Sequence, residues 1–367
     1  MKARRNTVIA GVAAVLLIAA GTAGYLLTRV RYEKYTESML DVFDTVITLV
    51  AYAKDEAEFD SYFNHAYDRL HELHKLYDYY YPYSGINNIY TINENAGKAP
   101  VQVDRQVIEM LAFARGLYDK TRGRMNIAMG SVLSIWHDYR EEGINDPDDA
   151  RIPPMELLIA ANAHTDIENL IIDEAAGTVY LADPLMKLDV GAVAKGFATE
   201  LVAKELFEMG MASGMLSSGG NIRSFGKPMD GIRERWGVGV QNPETSIFST
   251  DEELLDVIFI NDGAVASSGD YQRYYEVDGR VLHHLIDPDT LMPAEYFRAV
   301  TVLADDAGLA DYMSTVLFML PLGEAKQLAE SLDNVEAFWV LPDGRMDATA
   351  GMVKLLRSRG ASGSERQ

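Results

Sequence analysis

Residues 186–196 read MKLDVGAVAKG, a short strand end that turns at Gly191 into a predicted helix. The first turn of a helix leaves backbone N–H groups without partners, and the helix dipole makes that end electropositive. The small residues Gly191 and Ala192 let an anion approach the backbone, and Lys195 adds a positive charge. Two interpretations remain open: a diphosphate-binding turn with Asp189 at its edge, or an ordinary strand-to-helix turn whose glycine serves only the backbone.

The composition limits the classes of protein to which the chain can belong. Its 367 residues allow two average domains or one large one, and a hydrophobic share of 48% is that of a globular protein. The net charge of −22 argues against nucleic-acid binding, because phosphate backbones require a surplus of lysine and arginine. The chain has no cysteine, which removes disulfides, thiolate zinc sites and catalytic thiols. An anionic ligand therefore needs a local source of positive charge, such as a metal ion or a helix N-terminus.

The N-terminus predicts a membrane anchor. Basic residues precede an apolar run from Val8 to Leu27, which at about 1.5 Å per residue spans about 30 Å, the hydrocarbon thickness of a bilayer. A cleaved signal peptide is the alternative, but its apolar region usually has about 7–15 residues. We expect a cytoplasmic stub, transmembrane signal-anchor and connector in residues 1–34, an extracytoplasmic domain in residues 35–356, and a flexible tail in residues 357–367.

The body of the chain mixes helix and strand patterns without regular βαβ alternation, so we expect an α+β fold with many antiparallel connections. Residues 28–40 are interpreted as a connector and residues 141–154 as a polar loop. Helices are predicted at residues 55–80, 107–119, 130–136, 157–163, 192–210, 309–320 and 323–331. Strands are predicted at residues 41–53, 167–172, 178–181, 214–220, 236–241, 254–260, 264–267, 271–277, 299–303 and 337–341. Neither GxGxxG nor GxxxxGK[ST] occurs, which disfavours a doubly wound nucleotide-binding fold.

A possible cation site lies in the segment ADYMSTVLFML. Its Asp311 and Thr315 are four residues apart, so on a helix their side chains share one face. A carboxylate and a hydroxyl, together with nearby carbonyl oxygens, form an all-oxygen ligand set that suits Mg²⁺ or Ca²⁺ rather than Zn²⁺. In the alternative interpretation, Asp311 stabilises the start of the helix and Thr315 bonds to its own backbone.

Other polar patterns also allow two interpretations. The five tyrosines of residues 77–83 either line a site for an aromatic ligand or pack the end of a helix. His71 and His74 are one residue too close for HExxH, so we expect exposed histidines and no zinc site. In HHLIDPDT, residues 283–290, a histidine either acts as a base or phosphate partner or is structural.

Taken together, these segments resemble the ApbE family, the FAD:protein FMN transferases. The resemblance extends from about Phe43 to about Val340. It is carried in order by MNIAMG with Trp136, LDVGAVAKGFA, SSGGNIRSFG, WGVGVQNP, ASSGDYQRYYE, HHLIDPDT and ADYMSTVLFMLP. The implied fold is an ApbE-like, T-fold-related mixed sheet with helices, preceded by the N-terminal transmembrane helix.

The resemblance also implies roles for individual residues. The carbonyl of Ala192 and the side chains of Asp311 and Thr315 match the ligands of a Mg²⁺ that bridges the FAD diphosphate. His284 matches a histidine important for turnover, and the nearby Asp287 competes with it for proton handling. Contacts with FAD are implied for Phe43, Tyr77, Asp78, Arg124, Met125, Asn126, Asp189, Lys195 and Ile286.

Two departures from the family pattern bear on cofactor fit rather than on the metal ligands. Asn126 stands where many members have aspartate, and Phe43-Asp44-Thr45 replaces the usual Met/Phe-Gly-Thr.

The sequence hypothesis is thus a membrane-anchored, extracytoplasmic, Mg²⁺-dependent flavin transferase. A serine or threonine hydroxyl of an acceptor flavoprotein, such as a membrane redox subunit, would attack the FMN phosphate of FAD and release AMP. The alternatives are an FAD pyrophosphatase that yields FMN and AMP, and an extracytoplasmic FAD-binding protein without turnover. The hypothesis requires the helix start near residue 192 to lie beside the helix near residue 311.

Overall fold

The structure, a computed structural model, describes residues 31–244 and 254–364. Its strands are β1 (Glu33–Val42), β2 (Thr45–Ala53), β3 (Val101–Gln102), β4 (Leu170–Asp173), β5 (Thr178–Leu181), β6 (Gly214–Ser218), β7 (Asn221–Phe225), β8 (Trp236–Gln241), β9 (Leu254–Ile260), β10 (Ala264–Gly269), β11 (Tyr274–Val277), β12 (Arg280–His283), β13 (Ala299–Ala304), β14 (Glu336–Val340) and β15 (Met346–Ala348). Its helices are α1 (Glu56–Tyr77), α2 (Ile89–Glu94), α3 (Arg105–Tyr118), α4 (Gly130–Asn145), α5 (Met155–Asn162), α6 (Ala194–Glu208), α7 (Ala307–Phe318), α8 (Leu322–Ser331) and α9 (Ala350–Val353).

An eight-stranded sheet in the order β1-β2-β6-β7-β10-β13-β14-β15 organises the fold. Every pair of neighbours in this sheet is antiparallel. Strands β3-β5-β4 form a small second sheet, and β8–β9 and β11–β12 form two-stranded ribbons. The predicted α+β class with antiparallel connections is therefore confirmed.

Helix α7 is the central helix of the core. Every residue of α7 except Leu309 is buried, and α7 contacts α6, β10 and β13. A helix enclosed in this way has no solvent-facing stripe, which explains why its sequence is apolar around its whole circumference. The exceptions are polar side chains such as Asp311 and Thr315, which therefore have to be satisfied inside the protein or by a ligand.

Residues 33–40, predicted to be part of the connector, belong to strand β1 instead. The strand lies at an edge of the main sheet and pairs with β2 in register from Glu33–Ala53 to Val42–Thr45, with one irregularity. Only Met39 and Val42 of this strand are buried. Apolar–polar alternation is therefore weak, because backbone pairing holds this edge strand without a buried face.

Two other segments are more ordered than the sequence analysis predicts. Helix α4 includes the first five residues of the predicted loop of residues 141–154, and a Cβ on its Gly143 would lie 2.6 Å from the ring of Tyr275. In the predicted tail, the Ser358 N–H donates to Asp256 at 3.0 Å, and the Gly363 carbonyl accepts from the Glu234 N–H at 2.6 Å. Close packing and backbone bonding across the fold are not visible in local composition.

His71 and His74 of α1, which the sequence predicts to be exposed, are half-buried and hydrogen-bonded instead. His71 Nε2 lies 2.9 Å from Asp41 Oδ2, and His74 Nδ1 accepts from the Phe43 N–H at 3.3 Å. Over the described ranges, no cluster of three or more His, Cys, Asp or Glu side chains is arranged to hold a metal ion.

The predicted transmembrane segment, Val8 to Leu27, lies outside the described residues. Within residues 31–244 and 254–364, the helices are too short or too polar to cross a bilayer.

Candidate functional site

The first turn of α6 lies directly against α7 at Gly196. Its N–H donates a hydrogen bond to Asp311 Oδ2 at 2.8 Å. A Cβ at this position would lie 2.4 Å from the Ala307 carbonyl oxygen and 2.4 Å from the Asp311 Cβ, so this approach requires glycine. The two segments that the sequence hypothesis places side by side therefore do meet in the structure.

A cavity of about 610 Å³ opens at this contact, within the range of about 300–1,000 Å³ typical of small-molecule sites. Of the sequence-predicted site residues, those that line it are Arg124, Met125, Asn126, Asp189, Ala192, Lys195, His284, Ile286, Asp311 and Thr315. They come from the loop before α4, from the loop before α6 and the first turn of α6, from the segment after β12, and from α7. The fold thus gathers residues that are up to 191 positions apart, from Arg124 to Thr315, around one space.

The remaining predicted contacts lie elsewhere. Phe43, Tyr77 and Asp78 line a second cavity of about 310 Å³, which shares Lys195 with the first. Asp287 lines neither cavity: its carboxylate accepts the Asp289 N–H at 2.8 Å within a tight turn. Asp287 Oδ1 also lies 4.0 Å from the guanidinium of Arg124, which lines the larger cavity, so Asp287 lies behind the cavity wall.

Burial controls the charges at the cavity floor. It raises the pKa of the Asp189 and Asp311 carboxyl groups and lowers the pKa of the Lys195 ammonium group. At Asp311, the positive charge of Lys195 and the Gly196 N–H lower the pKa and so oppose the effect of burial. At Asp189, the Gly191 N–H, which lies 2.9 Å from Oδ1, lowers the pKa in the same way. Charges held in so apolar a setting favour a ligand that brings its own balancing charge.

His284 faces this cavity as a neutral imidazole. Burial, followed by the positive charge of Arg273, lowers the pKa of His284 well below its ordinary value. Its Nδ1 is buried and has no hydrogen-bond partner in the described part of the chain, while its backbone N–H donates to the Arg273 carbonyl at 3.1 Å. The neutral imidazole is the form of histidine that can accept a proton.

The sequence profile of the ApbE family matches residues 43–339. The chain belongs to the ApbE family. A relative from Treponema pallidum (strain Nichols), named FAD:protein FMN transferase, is 31% identical over 275 residues, which cover 72% of this chain and 74% of the relative. A relative of the same name from Klebsiella pneumoniae (strain 342) is 28% identical over 256 residues, covering 69% and 75%.

Solved structures agree with this family membership. The ApbE protein of Thermotoga maritima superposes with a TM-score of 0.75 at 23% identity, over 89% of this chain and 99% of that one. The flavin transferase ApbE from Vibrio cholerae superposes with a TM-score of 0.71 at 23% identity, over 89% and 100%. At this identity the likeness shows the fold, and the ApbE-like fold expected from the sequence is confirmed.

The departure from the ApbE pattern at Asn126 has a structural explanation. Its Nδ2 donates to the Thr165 carbonyl at 2.8 Å, and its Oδ1 accepts the Ala128 N–H at 2.9 Å. A carboxylate could not make the first bond, because it has no donor. The neighbouring Met125 carbonyl accepts from the Tyr312 hydroxyl of α7 at 3.0 Å. Asn126 therefore fixes the turn at the cavity wall to the rest of the fold.

The predicted metal ligands fit a magnesium ion that shares its coordination with a substrate. The carboxylate of Asp311 and the hydroxyl of Thr315 both line the cavity, and each residue is 7% exposed. Across the described residues, the Thr315 hydroxyl has no hydrogen-bond partner. A set of oxygen donors with a single carboxylate is typical of Mg²⁺ that keeps waters and binds substrate phosphates, rather than of a cation enclosed by protein.

Several cavity residues of this ApbE protein carry no role in the sequence analysis. Tyr79 and Tyr80 line both cavities with their ring centroids 4.3 Å apart, which matches the ligand-wall interpretation of the tyrosine-rich stretch. Arg140 and Arg273 also line the larger cavity. Arg273 lies within the ASSGDYQRYYE motif, but no spacing rule indicates that an arginine after a strand end points into a cavity.

Proposed function

We propose that the protein is an FAD:protein FMN transferase, which moves the FMN moiety of FAD to a serine or threonine hydroxyl of an acceptor flavoprotein. The observation that carries this proposal is the contact between Gly196 and Asp311, because it places a helix start, Lys195 and an all-oxygen ligand set around one cavity. The names of the relatives support it.

The cavity is suited to a dinucleotide diphosphate even though the whole chain is strongly acidic. Arg124, Arg140, Lys195 and Arg273 all line it, so the local field is more positive than the net charge of −22 suggests. The N-terminus of α6 adds backbone donors and the positive end of its dipole. Bound at Ala192, Asp311 and Thr315, Mg²⁺ would neutralise phosphate charge and polarise the reacting phosphorus.

In the proposed reaction the acceptor hydroxyl oxygen forms a bond to the phosphorus of the FMN half. The bond from that phosphorus to the bridging oxygen breaks, and AMP leaves with the bridging oxygen. The hydroxyl proton passes to the neutral imidazole of His284, which lines the cavity. Lys195 holds the phosphate groups in place, and Asp287 takes no part because it lies outside the cavity.

The test is to incubate the full-length protein with FAD, MgCl₂ and an acceptor fragment that carries one threonine. We expect the mass of the fragment to increase by that of an FMN phosphoester and AMP to be released in equal amount. The same fragment with alanine in place of threonine should gain nothing. AMP and free FMN without labelled fragment would indicate a pyrophosphatase instead, and bound FAD with neither product would indicate a binding protein.

The depressed pKa of His284 predicts how the rate depends on pH. A general base must be unprotonated, and a lowered pKa means that the imidazole binds a proton only at a lower pH. We therefore expect kcat/KM for FAD to stay nearly constant from pH 7.5 down to about 6, where a histidine of ordinary pKa, about 6.5, would be mostly protonated. An acidic limb centred at pH 6.5 or above would contradict the assignment of His284 as the base.

A further inference from the structure

Arg273 occupies the place where the two cavities meet. It follows strand β10, precedes strand β11, and lines both the cavity of about 610 Å³ and the cavity of about 310 Å³. Its carbonyl accepts the His284 N–H at 3.1 Å, so the backbone beneath the side chain is fixed to the segment that carries the candidate base. A ligand that extends from one cavity into the other would therefore pass Arg273.

The guanidinium of Arg273 has no polar partner in the part of the chain that the structure describes. Over residues 31–244 and 254–364, no group forms a hydrogen bond or ion pair with the Arg273 side chain. Neighbouring arginines differ: Arg280 lies 3.5 Å from a Glu295 oxygen, and Arg298 donates to Asp270 at 2.7 Å. In a chain with 55 acidic and 33 basic residues, an arginine left unpaired beside a cavity is available for an anionic ligand.

The positive charge of Arg273 affects the pKa of groups from several parts of the site. The positive charge of Arg273 contributes to lowering the pKa of Lys195 and of His284, and it also lowers the pKa of Asp189 and Asp311 against the effect of burial. The groups so affected come from the α6 segment, the segment after β12, and α7. The guanidinium therefore acts on the junction of the cavities as a whole.

The junction contains one other cation that lines both cavities, Lys195, among the described residues. Its Nζ lies 3.4 Å from the Gly191 carbonyl, a weak contact that leaves donors for a ligand. A diphosphate carries more charge than one ammonium group balances, and a guanidinium can grip two phosphate oxygens at once.

We propose that the Arg273 guanidinium binds the phosphate groups of the dinucleotide where the two cavities join, together with Lys195. This inference rests on the proposed function, since FAD is the ligand that it serves. It makes Arg273 a substrate-binding residue that selects nucleotides by their phosphates and not by their rings.

The test compares Arg273→Met, which keeps the length of the side chain without its charge, with Arg273→Lys and with Arg280→Met. Arg280 lies on the adjacent ribbon, is paired with Glu295 on the surface, and lines neither cavity. Titration calorimetry with FAD, ADP, riboflavin and adenosine, in the presence of MgCl₂, measures binding to the full-length protein. We expect Arg273→Met to weaken FAD and ADP by about 10- to 100-fold, the range for hydrogen bonds to charged groups. Riboflavin and adenosine should bind as before, and Arg280→Met should change nothing.

Arg273→Lys should fall between the wild type and Arg273→Met, because it keeps the charge but not the planar fork. Equal losses for ligands with and without phosphate would show a structural role and overturn the inference, as would unchanged affinity for FAD and ADP. The outcome is separable from that of the proposed function. A wild type that binds FAD with help from Arg273 but releases neither AMP nor labelled acceptor would refute the transferase and leave the phosphate contact standing.

Discussion

Asp311→Asn is expected to lower the rate of FMN transfer by about 1,000-fold. Asparagine keeps an oxygen that can accept the Gly196 N–H, so the contact between α6 and α7 survives while the negative charge is lost. A bound divalent cation contributes several kcal/mol to a phosphoryl transfer, and each 1.36 kcal/mol corresponds to tenfold in rate. The measurement is kcat/KM for FAD at saturating acceptor, over a range of MgCl₂ concentrations.

The thermal stability of the Asp311→Asn variant, in contrast to its transfer rate, should not fall. Burial raises the pKa of Asp311 above its value in the unfolded chain, so near neutral pH the ionised carboxylate lowers the stability of the ligand-free fold. Removing the charge should leave the melting temperature of the metal-free protein unchanged or higher. Asp343→Asn, the same change at an exposed turn, is the matched control and should affect neither quantity. A transfer rate within tenfold of the wild type would exclude Asp311 as a metal ligand.

Gly196→Ala is expected to damage both the fold and the activity. The new Cβ would lie 2.4 Å from a backbone oxygen of Ala307, and a backbone atom inside a buried helix cannot turn aside as a flexible side chain can. Overpacking of this kind costs about 3 kcal/mol of stability. Displacing α6 from α7 by a fraction of an ångström would also separate Ala192 from Asp311, and misplacement of about 1 Å costs about 100-fold in rate. Thermal unfolding and FMN transfer measure the two effects.

Gly116→Ala provides the control for this substitution. Gly116 lies inside α3, and a Cβ there would meet no atom within 4 Å. Alanine is the better helix former by about 1 kcal/mol, so this variant should be slightly more stable and fully active. If Gly196→Ala unfolded at the same temperature as the wild type, the close packing of the two helices would not be the constraint that the structure indicates.

Local patterns predicted several of the residues that line the larger cavity. The spacing of Asp311 and Thr315 places both on one face of a helix, and the glycine and small residues around Ala192 indicate a helix start open to an anion. Each of these patterns is local, whereas their meeting at Gly196 depends on how two buried helices cross. No feature of either segment alone fixes that crossing. The family resemblance supplied the pairing, and the structure shows that it is sterically possible.

The failures of sequence reasoning have a common physical origin. Strand β1 and residues 358–363 are held by backbone hydrogen bonds to distant partners, and such bonds leave no mark on side-chain periodicity. The sequence did not indicate the role proposed for Arg273. That role follows from the lack of a polar partner among the described residues, and only the packed structure shows whether an arginine is paired. Asp287 was proposed from its closeness in sequence to His284, but the turn directs its carboxylate to the Asp289 N–H.

Because α7 is buried beside the cavity, the stability of the protein should depend on the concentration of the nucleotide that binds there. The Asp311 carboxylate of α7 is buried, and the Thr315 hydroxyl of the same helix has no hydrogen-bond partner among the described residues, so a ligand that satisfies both groups would stabilise the folded protein. A ligand at 100 times its dissociation constant would add about 2.7 kcal/mol to the stability of the folded form. Starvation for flavin would then shorten the survival of the protein as well as withhold its substrate, because degradation samples the unfolded chain.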